Sequence, residues 1–192
     1  MPSTVSEGRL ARALAEVDSA NAEDPDFLEV NGERRPAELV YGWRMSDALA
    51  RFDPNPSDCL RIAARGQHVG RWKVPRKSFP AGRAGYLAWR KHQRQLQADR
   101  LRQIMAAAGY GLDETDRVGV LIRKERLKLD PDVQTLEDVI CVVFLEYYFD
   151  AFAPNVERDK LADILAKTWA RMSERGHAQA LKLNLHPMVP EL

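Results

Sequence analysis

The sequence predicts an all-α fold. Apolar residues recur at helical spacing between the prolines, alternating strand patterns are absent, and β-branched residues are sparse outside 139–143. The eleven prolines stand in gaps between helical patterns or in first helical turns, where the missing N–H costs nothing.

Leu10, Leu14 and Val17 mark a first helix over about 7–19. Leu39, Trp43 and Leu49 mark a second, with Pro36 near its first turn. Ser57 caps a third, whose apolar positions are Leu60, Ile62, Ala63 and Ala64. A loop from Gly70 to about Gly82 separates it from a long helix over roughly 83–108. Gly109 suits a left-handed cap on that helix. Asp113 starts a short helix through Val118, Leu121 and Ile122. Pro131 opens a central helix over about 132–152, apolar on nearly every side and so expected to be buried. Leu161, Ile164, Leu165, Trp169 and Met172 form the stripe of the next helix, with Gly176 as its expected end and a short C-terminal segment after it. That stripe serves either the core or a homodimer face. The sum is a single domain over 1–192 with about seven helices, without repeats or low-complexity segments. The loops at 20–35, 70–82 and 124–131 are the expected functional edges.

Composition narrows the partners. Lys plus Arg is 29 against 28 acids, a net charge of +1, so nucleic acid is not the expected partner. The most apolar run, Val139 to Phe149, is broken by Glu146 and no membrane span is expected. The N-terminus has no apolar signal core. Cys59 and Cys141 lack motif spacing. These features together lead to the expectation of a cytoplasmic protein. A Gly-rich phosphate loop, a His-Glu-x-x-His helix, a G-x-S-x-G elbow and a Cys-x-x-Cys pair are all missing from the sequence.

Three groups are candidates for chemistry. His68 follows Ala64 and Gly66 at a helix C-terminal end, where the dipole favours a charged imidazole. It reads either as a metal ligand or acid–base group, or as a histidine that caps the helix or hydrogen-bonds within the core. Glu137 and Asp138 begin the most apolar stretch. They point about 100° apart on a helix, and a buried acid there needs a metal or a cationic partner. The third group is basic: Arg61, Arg65, Arg71, Lys73, Arg76 and Lys77 with Trp72, then Arg123, Lys124, Arg126 and Lys128. Guanidinium forks suit phosphate or carboxylate and Trp72 offers a stacking face; the other reading is a solvated surface. Arg90, with Tyr86 and Trp89, either lines a cleft or belongs to the exposed face that carries His92 and Arg94.

NAEDP (21–25), ELVYGWRM (38–45), RIAARGQHVGRWKVPR (61–76), AGYLAWR (84–90), LEDVICVVFLEYYF (136–149) and TWARMSERGH (168–177) resemble a bacterial and fungal family known as a domain of unknown function. Some of its fungal members carry a glutamyl-tRNA synthetase label, but the nucleotide-binding signatures of such enzymes are missing here. The pattern is also distantly similar to the HD superfamily of helical, metal-dependent phosphohydrolases. In that resemblance Tyr41 occupies the first His slot, Gln67–His68–Val69–Gly70 stands where His-Asp-Ile-Gly would be, and Asp138 occupies the late Asp slot. It implies an HD-like arrangement and an enzyme acting on a phosphorylated small molecule or nucleotide. His68 and Asp138 would be catalytic, His68, Asp138 and Glu137 would hold a divalent metal ion, and Arg71 and Arg76 would clamp phosphate. The alternative is a metal-free module that binds an anionic metabolite through Arg71, Trp72, Arg76, Arg90 and Lys124.

Overall fold

A computed structural model describes residues 4–183, and these are mostly helical. Helix α1 (Thr4–Asn21) leads into a hairpin of β1 (Phe27–Val30) and β2 (Glu33–Pro36). Then come α2 (Ala37–Phe52), α3 (Asp58–Arg65), α4 (Gly82–Ala108), α5 (Leu112–Arg123), α6 (Pro131–Tyr147), α7 (Phe149–Phe152), α8 (Arg158–Arg171) and α9 (Glu174–Ala180). Helix α6 is the spine. It packs against α2, α3, α5, α8 and α9, while α1 covers α2, α3 and α4. One core runs from Val17 and Met45 through Leu60, Leu101 and Leu121 to Val139, Leu165 and Ala180. Among the described residues no helix is long and apolar enough to cross a membrane.

Several helix ends obey local chemistry. The Ser57 hydroxyl accepts from Leu60 N–H at 3.2 Å and starts α3. Gly109, at φ 95°, closes α4. Asp130 caps α6 through the Asp132 and Val133 N–H groups, with Pro131 in the first turn. The α8 stripe faces inward: Leu161, Leu165 and Met172 are buried in the core.

Three expectations are corrected. The segment read as a loop at 20–35 contains an antiparallel hairpin, with Leu28 opposite Arg35 and Glu29 opposite Arg34. Its turn residues Asn31 and Gly32 have φ 54° and 79°, the left-handed pair that an Asn-Gly hairpin turn requires. The helix expected to run to Gly176 ends at Arg171. Met172 is extended, and Ser173 caps a new helix by accepting from Gly176 N–H. The central helix breaks at Tyr148, so the described residues hold nine α-helices rather than about seven. Residues 184–192 of the expected C-terminal segment lie outside the described residues.

Candidate functional site

A cleft of about 1730 Å³ opens between α2, α4, the α5–α6 loop, α6 and α8. One wall carries His68 and its contacts. Asp24, itself buried, accepts from Glu38 N–H at 2.9 Å and so fixes the first turn of α2. The Glu38 carboxylate lies 3.0 Å from His68 Nδ1. Arg71 Nη1 lies 2.6 Å from His68 Nε2. An arginine only donates, so Nε2 is the acceptor and Nδ1–H donates to Glu38. The imidazole is therefore the neutral Nδ1–H tautomer. Tyr41 stacks on it with centroids 4.0 Å apart and planes 9° apart, and the Tyr41 hydroxyl donates to Gln67 Oε1 at 2.9 Å. Burial pushes His68 down to about 4, with Glu38 opposing and Arg71 adding to the shift. The geometry matches the reading of a histidine hydrogen-bonded within the core, with Glu38 on Nδ1 and Arg71 on Nε2.

The floor carries Glu137. Its side chain is 1% exposed and forms a buried ion pair with Lys124, which is 5% exposed. Lys124 is the left-handed residue after α5 (φ 59°), where the chain reverses and the side chain turns inward. Arg171 Nε approaches Glu137 Oε1 at 3.4 Å but makes no hydrogen bond. Burial works to raise the Glu137 carboxyl, but Lys124, Arg171 and Arg90 together hold it below the usual glutamate range. Arg94 lies beside the same group. Burial, Arg90 and Arg171 depress its guanidinium, while Glu137 opposes them. Arg94 makes no hydrogen bond or ion pair among the described residues. Rim charges pair with each other, Arg123 with Glu125 and Lys167 with Asp163. Arg90, Arg94, Lys124 and Arg171 therefore share a single carboxylate, and the floor is strongly positive. Ile140, Phe144, Tyr148, Phe152 and Ile164 line an apolar part of the same cleft.

The sequence candidates divide accordingly. His68, Arg71, Arg90 and Lys124 line the cleft, and Glu137 lies beneath it. Arg76 does not line it: its guanidinium donates to the Phe79, Pro80 and Gly82 carbonyls and holds the loop before α4. Trp72 packs under Lys73 instead. Asp138 turns away, accepting from Ser173 N–H at 2.8 Å and from the Ser173 hydroxyl. Arg61 and Arg65 hold Pro56 and Asp18.

The donor set does not fit a metal. Both His68 nitrogens, the Glu137 oxygens and the Asp138 oxygens already face protein partners. A guanidinium N–H on Nε2 takes the lone pair that a metal needs. Among the described residues no group of three or more His, Cys, Asp or Glu is placed to hold an ion.

A family model described as a domain of unknown function (DUF4202) matches residues 11–192. The chain belongs to this family. No curated protein and no solved structure matches it. In this DUF4202 chain, the sequence reading passed over three residues of the cleft: Glu38, Arg94 and Arg171. A signal existed for Arg94. Tyr86, Arg90, Gln93, Arg94 and Gln97 follow i, i+4, i+7, i+8 and i+11, one face of α4, and Gln93 and Gln97 on it are buried.

Proposed function

We propose that the cleft binds a phosphorylated small molecule without a metal, its anionic group on Arg90, Arg94 and Arg171 and its apolar or aromatic body on the wall of Phe144, Tyr148 and Phe152. The observation that carries this reading is the cluster of cations around Glu137, with the Arg94 guanidinium and Arg171 Nε left without hydrogen-bonding partners. Arg171 Nε is a buried donor without a hydrogen bond, the partly buried Arg94 guanidinium is free to turn to an anion, and guanidinium forks match phosphate geometry. On this reading the protein is a divergent HD-like domain. Its support is that Tyr41, Gln67 and His68, which the sequence resemblance aligns with metal-ligand slots of that superfamily, are in mutual contact, with arginines and a lysine nearby to take over the charge.

Isothermal titration with pyrophosphate tests the reading. Binding to the wild type is expected to be insensitive to EDTA and to weaken roughly tenfold or more in both Arg94→Ala and Arg171→Ala, the loss of a charge-assisted contact. Affinity unchanged in both variants, or abolished by EDTA, would reject it.

A further inference from the structure

We propose that His68 Nε2 is a phosphoryl acceptor, forming a phosphohistidine with a phosphate ester held in the cleft. The proposal rests on the reading of the cleft as a phosphate-ester site and adds a covalent step to it.

Four features of the His68 wall support it. The ring is fixed in plane by Tyr41, which is itself anchored on Gln67. Glu38 accepts the Nδ1 proton at 3.0 Å, so the lone pair sits on Nε2. Nε2 faces Arg71 rather than a carboxylate. His68 also lies within electrostatic reach of Arg90, and both residues line the same cleft. This is a nucleophile, an orienting acid and charge stabilisers in one cleft. The ring is neutral near pH 7, so no proton has to leave before attack.

Arg71 covers the nucleophile until an anion arrives. Its guanidinium lies over Trp89 at 4.9 Å from the ring centroid and donates to the neutral imidazole. A phosphate oxygen is a stronger acceptor than a neutral imidazole nitrogen. The incoming group draws the Arg71 N–H away, and phosphorus takes its place at Nε2.

The step balances without a further reactant. The Nε2 lone pair forms the N–P bond. The P–O bond to the leaving group breaks, and that oxygen keeps the electron pair and takes a proton from solvent. The positive charge that develops on the ring stays against Glu38. Water then attacks phosphorus, the N–P bond breaks with its electrons returning to Nε2, one water proton passes to solvent, and inorganic phosphate forms.

Phosphoramidate, whose leaving group is ammonia, is the probe. Wild-type protein is incubated with it, digested at neutral pH and mapped by tandem mass spectrometry, with 31P NMR on the intact chain. The expected result is one acid-labile, alkali-stable phosphoryl group on His68, appearing faster than on the exposed His92. Glu38→Gln is expected to slow the labelling roughly tenfold or more. His68→Gln is expected to abolish it at that peptide while circular dichroism stays unchanged. Mapping in the wild type decides the matter even if that variant does not fold. Titration of inorganic phosphate runs alongside. Phosphate bound but His68 unlabelled, or His92 labelled first, overturns the covalent step and leaves the cleft reading standing. If phosphate does not bind and His68 is not labelled, both fall.

Discussion

The neutral imidazole of His68 ties stability to pH. Its pKa is about 4 in the folded protein against 6.5 unfolded, so between these values the unfolded chain binds a proton that the folded chain does not. Stability is fully present above pH 6.5 and falls as the pH drops toward 4, by about 3 kcal/mol for this one group. Urea unfolding at pH 7 and pH 4.5 should show that loss, and His68→Asn should remove most of it. An equal loss in the variant would assign the acid sensitivity to other groups. His68 itself was legible as a candidate because it stands in a polar turn after an apolar helix. Its charge state was not, since Glu38 lies thirty residues earlier and Tyr41 reaches the ring only through the packing of α2 on α3. Arg94 was hidden for a different reason. Its spacing puts it on one face with Tyr86 and Arg90, but charged residues surround much of α4, and only the burial of Gln93 and Gln97 shows that this face lines the cleft.

At the scale of elements, the capping residues carried the most information. Ser57, Gly109 and Pro131 bracket α3, α4 and α6 as their chemistry requires. The same rules applied to Ser173 and to Asn31–Gly32 locate α9 and the hairpin. Those signals were outweighed by an apolar stripe that ran up to Met172 and by strands only four residues long. Helix α9 depends on α6. Asp138 takes the Ser173 N–H and hydroxyl, and Gly176 passes so close that an added Cβ would stand 2.6 Å from Asp138 Oδ1. Asp138→Ala is expected to lower stability by about 2–4 kcal/mol in urea, since buried donors lose a charged acceptor. Phosphate affinity is expected to stay within roughly twofold. The reverse result, weaker binding with stability intact, would place Asp138 in the cleft chemistry.

At the scale of the whole molecule, the cleft is assembled from segments distant in sequence: Glu38 on α2, His68 and Arg71 after α3, Arg90 and Arg94 on α4, Lys124 after α5 and Arg171 on α8. No local pattern encodes that convergence, so the sequence supplied the parts and tertiary packing supplied the site. A ligand seated there links these elements and raises the melting temperature. At about a hundred times its dissociation constant a ligand adds about 2.7 kcal/mol, a rise of roughly 5–10 °C for a chain of this size. Differential scanning fluorimetry with pyrophosphate, with and without EDTA, reads this directly. A flat melting curve across the concentrations that saturate the titration would mean that the anion sits outside the folded cleft. The two neighbouring acids of α6 add a mechanical consequence. Glu137 gathers the floor of the cleft while Asp138, one residue on, holds the start of α9. A single rigid shaft thus carries both attachments at a fixed angle. Any displacement of α6 would therefore carry the floor of the cleft and the start of α9 together.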